Sequence, residues 1–326
     1  MTQARSQAQA RADSQAQPKA SGPADEAGPA DEAATAPPLP APRLWFLAAR
    51  PRTLTAAVAP VLVGSAVAAS LGGFKFLPAL AALLSSMCIQ IGTNFANDYS
   101  DFKRGADKER VGPTRVTQSG LIAPATVKRA ALLMFGLAAL IGLYIAYVGG
   151  WPMLLVGTAS VIAGWAYTGG PWPLGYHGLG DLFVLVFFGF VATVGTVFIQ
   201  LHALPLVAFL AAVPVGALAT AILIVNNLRD RETDARVGKR TLAVKLGAAF
   251  TRGEYLAMLA LAVLAPLAGV ALGLMRPLCL CALPALLLAP VRRVLRESGA
   301  ALNPALGGTA RVQLLYGLLF ALGLSL

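Results

Sequence analysis

Apolar stretches of similar length alternate with short polar breaks from Leu44 to the end of the chain. A helix needs about 20 apolar residues to cross about 30 Å of hydrocarbon. The pattern therefore predicts an all-α, polytopic membrane protein. Nine transmembrane helices are predicted, near residues 53–71, 76–96, 127–148, 151–168, 181–201, 206–226, 255–274, 277–291 and 311–326. Three prolines interrupt the eighth of these segments.

The first 42 residues have a different composition, rich in Ala, Gln, Pro, Ser and acidic residues, with the hexapeptide GPADEA repeated at 22–27 and 28–33. Such a segment cannot bury enough apolar surface to offset the entropy of ordering. No apolar core of a signal peptide follows Met1, so we do not expect one. The sequence predicts a disordered tail over residues 1–42 and one transmembrane domain over residues 43–326.

Charge is scarce and unevenly placed. Charged residues make up 13% of the chain and hydrophobic residues 57%, whereas a soluble domain carries about 25% charged residues. If the N-terminus lies inside the cell, Lys75 and Arg276 are the only two of 26 Lys and Arg residues that fall on the outer side. This asymmetry follows the positive-inside rule. It accounts for the net charge of +11 without a nucleic-acid partner.

The carboxylates obey the same asymmetry. Five of the 15 Asp and Glu residues lie in the tail, and the other ten lie on the predicted cytoplasmic side. None is placed in the middle of a predicted span, where a proton pump or an ion channel would need one. The two histidines, His177 and His202, are predicted on opposite faces, which argues against a zinc site.

Two sets of Asn and Asp side chains stand at the cytoplasmic ends of the second and sixth predicted helices. At helical spacing, each set lies on one face of its helix. The sets are Asn94, Asp98 and Asp101, and Asn226, Asp230 and Asp234.

The two sets repeat at a fixed offset. Asn94 and Asn226 are 132 residues apart, and so are Asp98 and Asp230. A repeat of this kind suggests two related helical halves whose sites meet at their interface.

Carboxylates that converge at a membrane surface repel one another unless a cation joins them. Oxygen ligands with room for water suit Mg²⁺, which is usually held by few carboxylates together with substrate phosphates. The neighbouring Lys and Arg residues supply charge for a diphosphate. A prenyl diphosphate, with a charged head and an apolar tail, fits a site at the mouth of a helical bundle.

The connection after the fourth predicted helix, residues 167–181, is rich in Gly, Pro and aromatic residues. It is interpreted either as a lid or wall for an aromatic acceptor or as an ordinary tight connection.

Four segments together resemble the UbiA superfamily of membrane prenyltransferases, and within it the enzymes that prenylate 1,4-dihydroxy-2-naphthoate in menaquinone synthesis. These segments are residues 50–54, 94–115, 167–189 and 226–247. The resemblance covers residues from about 45 to 326. It implies nine helices in a ring around a central cavity, capped by cytoplasmic loops, in a bacterial inner membrane.

The resemblance also implies the roles of individual residues. Mg²⁺ would be held by Asp98, Asp101, Asp230 and Asp234. The diphosphate and the acceptor would be bound by Asn94, Arg104, Asp107, Arg115, Tyr167, Asn226, Lys239 and Arg240. Relatives often carry Lys at the position of Arg104, whose role is therefore inferred from its charge.

The implied reaction transfers a polyprenyl group from polyprenyl diphosphate to 1,4-dihydroxy-2-naphthoate, with loss of CO₂ and diphosphate, to give a demethylmenaquinol. Alternatives within the superfamily are 4-hydroxybenzoate polyprenyltransferase and enzymes that prenylate haem or chlorophyll precursors. An alternative from another class is a membrane transporter, which would carry polar residues at the membrane midplane.

Overall fold

The protein, represented by a computed structural model, is described over residues 40–106 and 111–326. Every regular element in these ranges is helical, which confirms the predicted fold class. The predicted disordered tail lies outside the described residues, except for its last three positions. Its boundary at residue 42 remains a prediction.

Ten α-helices and three 3₁₀ helices make up the described chain. The α-helices are α1 Ala41–Ala49, α2 Pro51–Ser70, α3 Phe76–Arg104, α4 Pro124–Gly149, α5 Pro152–Ala166, α6 Gly180–Leu201, α7 Leu206–Arg236, α8 Leu242–Ala271, α9 Val291–Arg296 and α10 Asn303–Ser325. The 3₁₀ helices are Leu174–His177, Pro277–Leu288 and Gly299–Leu302.

Seven of the helical segments are long and apolar enough to cross a membrane, judged by length and composition. The fourth and eighth predicted spans correspond to two shorter apolar helices, α5 with 15 residues and Pro277–Leu288 with 12. A 3₁₀ helix rises about 2.0 Å per residue, so 12 residues extend about 24 Å. Each of the nine predicted segments therefore has a helix within the described residues.

The two helices that carry the Asn and Asp sets are longer than predicted. We expected them to end near residues 96 and 226, but α3 has 29 residues and α7 has 31. At 1.5 Å per residue these lengths are about 44 and 46 Å, well beyond the hydrocarbon core. Both acidic sets therefore lie inside continuous helices, and the ends of these helices keep the 132-residue offset.

Helix α8 begins earlier than predicted, at Leu242, and its backbone breaks at Gly247, where φ is 83° and ψ is 173°. Thr241 caps the first turn, because its side chain accepts a hydrogen bond from the Val244 amide. The break lets a short helical segment follow the Lys239–Arg240 loop before the long membrane segment begins.

The core of the bundle is built on small and β-branched side chains. Helix α7 packs against α8, α2 against α10, and α3 against α4. Val63, Val215, Tyr316 and Phe320 are fully buried where α2, α7 and α10 meet. α7 is the most deeply enclosed of the long spans, because 78% of its most apolar stretch is buried. This central helix delivers Asn226, Asp230 and Asp234 to the site.

Helices α6 and α7 cross at a pair of glycines. A methyl group added to Gly216 would lie 2.7 Å from the Cα atom of Gly189, and one added to Gly189 would lie 2.8 Å from the Cα atom of Gly216. Gly189 belongs to a π-helical turn, Leu185–Val191, within α6. The two backbones can approach this closely only because neither residue has a side chain.

We predict that Gly216→Ala lowers the stability of the folded protein by about 1–3 kcal/mol, because the new methyl group overpacks the crossing. Thermal unfolding in detergent measures the change. The matched control is Gly136→Ala in α4, where a methyl group would meet no atom within 4 Å. Ala favours a helix over Gly by about 1 kcal/mol, so the control should not destabilise the protein. Equal melting temperatures for the two variants would contradict this account of the crossing.

Candidate functional site

A small polar cavity of about 20 Å³ lies between the ends of α3 and α7, bounded by the loop that follows each helix. It is large enough for one water-sized group. Its lining consists of Asp101, Ala106, Arg115, Asn226, Asp230, Thr233, Asp234 and Lys239. The cavity thus joins acidic residues from both 132-residue repeats with two basic residues from the connecting loops.

Asp101 is held on both of its carboxylate oxygens. The Tyr176 hydroxyl donates a hydrogen bond of 3.0 Å to Oδ1, and Nη2 of Arg115 lies 3.2 Å from Oδ2. Asp101 is 4% exposed and Arg115 is 8% exposed. A buried carboxylate held by a guanidinium and a hydroxyl is fixed in position.

Asp230 is bound by the side chain of Arg229, the residue directly before it in the sequence. Nε and Nη2 of Arg229 donate hydrogen bonds of 2.7 and 2.6 Å to the two oxygens of Asp230. Arg229 also donates to Oδ1 of Asn226 and to Oδ1 of Asn303. This buried guanidinium therefore orients two side chains of the cavity. Arg229 was not among the predicted site residues, although its place between Asn226 and Asp230 was a signal.

Asp234 has one oxygen in use and one available. Nζ of Lys239 lies 3.3 Å from Oδ1, whereas Oδ2 is buried and accepts no hydrogen bond from a described residue. Burial of Lys239 acts to lower the pKa of its ammonium group. The charges of Asp234, Asp101 and Asp230 outweigh this and raise the pKa above its ordinary value. Lys239 is therefore a fixed positive charge in the cavity.

Tyr176, in the 3₁₀ helix Leu174–His177, covers one side of the cavity. The guanidinium carbon of Arg104 lies 5.2 Å from the centre of its ring, and Nζ of Lys239 lies 5.7 Å from it. The Arg240 amide donates to the Tyr176 carbonyl at 2.9 Å. Burial and the adjacent Asp101 charge raise the pKa of the Tyr176 hydroxyl, so it stays protonated and can donate.

This position of Tyr176 favours the lid over the ordinary connection as the interpretation of residues 167–181. Arg104 helps to hold the lid, because its Nη2 donates to the Gly170 carbonyl at 2.6 Å. The aromatic content of this segment was recognised from the sequence, but Tyr176 was not among the predicted site residues. Its hydrogen bond to Asp101 depends on the folded path of the loop, which no local pattern reveals.

The cavity brings together six of the twelve residues that the sequence singled out. These are Asp101, Arg115, Asn226, Asp230, Asp234 and Lys239. Arg104 lies on the lid side of Tyr176, while Arg240 is exposed and meets the lid through its backbone. Asp107 lies outside the described residues.

Asn94 and Asp98 are buried in α3 but do not line this cavity. The amide of Asn94 donates to the Ala49 carbonyl and to the Thr53 hydroxyl, both at 2.9 Å, where α1 meets α2. The first set therefore divides its side chains between two neighbours, with Asp101 facing α7. The role predicted for Asp98 remains a prediction.

A second, apolar cavity of about 430 Å³ lies between α3, α4, α5 and α6. Its lining is mostly apolar, with several hydroxyl side chains, and includes Thr93, Tyr167, Phe183 and Phe187. Burial raises the pKa of the Tyr167 hydroxyl, and the charges of Asp181, Asp234 and Asp101 raise it further. Tyr167 thus lines the apolar cavity within electrostatic reach of the polar one, and its phenol remains neutral.

The polar cavity has the chemistry of a site for a hard divalent cation. Its available ligands are oxygens, and the buried Oδ2 of Asp234 needs a partner. Among the described residues, no three Asp, Glu, His or Cys side chains come close enough to hold an ion by themselves. This fits Mg²⁺, which usually takes one or two carboxylates and completes its shell with water and substrate phosphates.

The amino-acid sequence is similar to those of several known proteins. A 1,4-dihydroxy-2-naphthoate octaprenyltransferase from Mycobacterium tuberculosis is 46% identical over 218 residues, which cover 67% of this chain and 75% of the relative. A protein of the same name from Escherichia coli is 41% identical over 294 residues, covering 86% of this chain and 95% of the relative.

Comparison of folds gives a consistent result. The structure of a UbiA homolog from Archaeoglobus fulgidus bound to GPP and Mg²⁺ superposes with a TM-score of 0.59 at 17% identity, covering 85% of this chain and 99% of that one. The family model for UbiA prenyltransferases matches residues 57–315, a range that contains every residue lining the polar cavity. The sequence match, the shared helical fold and the paired acidic helices agree, and the chain belongs to the UbiA prenyltransferase family.

Proposed function

We propose that this protein transfers a polyprenyl group from polyprenyl diphosphate to 1,4-dihydroxy-2-naphthoate. The products are diphosphate, CO₂ and a demethylmenaquinol. One observation carries the proposal: a small charged cavity that suits a divalent cation, with Arg115 and Lys239 available to bind phosphate oxygens, lies within electrostatic reach of Tyr167, which lines an apolar cavity that suits a prenyl chain. A substrate with a charged head and a hydrocarbon tail matches both.

The residues of the polar cavity have distinct tasks in this reaction. Arg115 and Lys239 offer N–H donors to the diphosphate oxygens, and their charges stabilise the negative charge that develops as the diphosphate leaves. Arg229 holds Asp230 and Asn226 in a fixed orientation. Tyr176 closes the cavity above Asp101 and restricts the access of water, which would otherwise compete with the acceptor for the allylic carbon.

Asp101, Asp230 and Asp234 are the residues from which one or two would hold Mg²⁺ directly, and Asp234 offers a buried oxygen for it, with Asp98 as a further predicted ligand. When bound, the ion neutralises the diphosphate and makes it a better leaving group. The A. fulgidus relative was solved with GPP and Mg²⁺ together, which supports the same pairing here.

The identity of the acceptor is supported by the relatives. The M. tuberculosis and E. coli proteins are both named 1,4-dihydroxy-2-naphthoate octaprenyltransferases, and the second aligns over nearly its whole length.

The proposed setting is a bacterial inner membrane, with the polar cavity facing the cytoplasm. Lys75 directly precedes α3 and Arg276 directly precedes the helix Pro277–Leu288, and both lie at the end of their segments remote from the acidic sets. The many basic residues of the opposite end would then face the cytoplasm, as the positive-inside rule requires.

We predict that the purified protein, supplied with a prenyl diphosphate and Mg²⁺, alkylates 1,4-dihydroxy-2-naphthoate and releases one CO₂ per transfer. Chromatography of the product and trapping of labelled CO₂ measure both outcomes. 4-Hydroxybenzoate in a parallel reaction is the control. Prenylation of hydroxybenzoate alone would contradict the assigned acceptor, and prenylated naphthoate without CO₂ release would contradict the decarboxylative step.

We predict that Asp234→Asn lowers kcat by roughly 10²-fold or more, because the change removes a charged oxygen that the cation requires. The protein should remain folded, since the amide has nearly the same size as the carboxylate. Glu232→Gln is the control, because Glu232 lies two residues away on the same helix with a side chain 75% exposed. Similar activity in both variants would refute the role of Asp234.

We predict that a chelator abolishes the transfer and that added Mg²⁺ restores it. The concentration of Mg²⁺ needed for half-maximal activity should rise in Asp234→Asn and stay the same in Glu232→Gln. Full activity of the wild-type protein in excess chelator would show that its reaction needs no divalent ion.

A further inference from the structure

Asp181 is a buried carboxylate that the site described so far does not use. It lies in the first turn of α6, and the residue is 5% exposed. Neither of its oxygens accepts a hydrogen bond from another described residue. Burial of a charged group without donors is strongly unfavourable, so such a residue calls for a functional explanation.

The position of Asp181 connects it to both cavities through Tyr167. A methyl group added to Gly180, the residue before Asp181, would lie 2.8 Å from the Tyr167 hydroxyl oxygen. Tyr167 lines the apolar cavity, and Phe183, two residues after Asp181, lines it as well. The charges of Asp181, Asp234 and Asp101 all act on the Tyr167 hydroxyl. Asp181 itself lines neither cavity, but it stands close to Tyr167, near the place where the head and the tail of a prenyl diphosphate would join.

The reacting carbon of a prenyl diphosphate is the one bonded to the diphosphate. With the head in the polar cavity and the chain in the apolar one, this carbon lies between the cavities. An aromatic acceptor must reach the same place. Its ring then lies near Tyr167, and its hydroxyl groups need a hydrogen-bond acceptor in surroundings that are otherwise mostly apolar.

We propose that Asp181 is the general base of the transfer, accepting the proton of the acceptor hydroxyl that is adjacent to the reacting ring carbon. This inference rests on the proposed function and adds to it a catalytic residue that belongs to neither acidic set.

The proton balance of the reaction fits a single carboxylate. The ring carbon that bears the carboxylate forms a bond to the allylic carbon, whose bond to diphosphate breaks, and the bonding pair leaves with the diphosphate. The adjacent hydroxyl becomes a carbonyl as its proton passes to Asp181. The bond to CO₂ then breaks, its electron pair returns through the ring to the carbonyl oxygen, and that oxygen recovers the proton from Asp181. The carboxylate ends as it began, and no other reactant is needed.

The carboxylates of the polar cavity are less suited to this task. Both oxygens of Asp101 are held by Tyr176 and Arg115, and both oxygens of Asp230 are held by Arg229. Donors and cations that stabilise a carboxylate make it a weaker base. Asp181 receives no hydrogen bond from another described residue and contacts no basic side chain among them, so its oxygens remain available to a hydroxyl of the acceptor.

The test compares Asp181→Asn with the wild-type protein and with Glu254→Gln. Glu254 is a suitable control because it is half-buried and lies near Asp181, yet its helix, α8, contributes no residue to either cavity, whereas α6 lines the apolar one. Three quantities are measured: kcat for the transfer to 1,4-dihydroxy-2-naphthoate, the Kd of geranyl diphosphate with Mg²⁺ and no acceptor, and the melting temperature in detergent.

For Asp181→Asn we expect kcat to fall about 10²–10⁴-fold, the range typical of a lost general base. The Kd of geranyl diphosphate should stay within about twofold, because the polar cavity is untouched. The melting temperature should stay the same or rise, because an amide is easier to bury than a carboxylate without donors. Glu254→Gln should keep kcat.

A modified acceptor provides an independent readout. Methylation of the hydroxyl adjacent to the carboxylate of the naphthoate removes the proton that Asp181 would take. The methyl ether should react slowly with the wild-type protein, and Asp181→Asn should slow it no further, because both changes remove the same step.

Failure of this inference is distinct from failure of the proposed function. A wild-type protein that prenylates no dihydroxynaphthoate refutes the function and the inference together. If the wild-type protein is active, an Asp181→Asn variant that keeps kcat within threefold refutes the inference alone. A variant that loses stability and geranyl diphosphate binding along with kcat also refutes it, because Asp181 would then be a structural residue.

Discussion

The site depends on holding three buried carboxylates around one small cavity at the mouth of a hydrophobic bundle. Asp101, Asp230 and Asp234 line one small cavity and are each less than a tenth exposed. Like charges in such a place repel, and each must be compensated or it takes up a proton. Arg115, Arg229 and Lys239 supply the compensation through direct contacts. The length of α3 and α7, the lid that carries Tyr176 and the loop after α7 all serve to bring these charges together.

Much of this arrangement could be predicted from the sequence because its signals are local. Apolar runs of membrane length mark the nine segments, and the 132-residue offset marks the paired acidic helices. Six of the twelve residues singled out line the polar cavity. The far ends of α3 and α7 were missed because a search for apolar runs stops where polar residues begin, although the polar face there is buried by neighbouring elements.

The remaining features depend on the path of the chain in three dimensions. Nothing in the spacing of Asn94, Asp98 and Asp101 indicates that Asn94 bonds to Thr53 while Asp101 meets α7. Tyr176 and Asp181 belong to the segment 167–181, whose composition suggested either a lid or wall for an aromatic acceptor or an ordinary tight connection. Their significance comes from one hydrogen bond to Asp101 and from the absence of partners for a carboxylate among the described residues.

Each carboxylate of the site and the basic residue that contacts it are close to each other along the chain. This closeness bears on how the protein enters the membrane. Arg115 follows Asp101 by 14 residues, and Arg229 directly precedes Asp230. Lys239 comes in the loop directly after the helix that carries Asp234. Each acidic helix end therefore emerges during synthesis with a basic partner close to it in the sequence. The first half of the chain can enter the bilayer with Asp101 already paired to Arg115, and the two halves can then pack together without bringing unpaired carboxylates into contact.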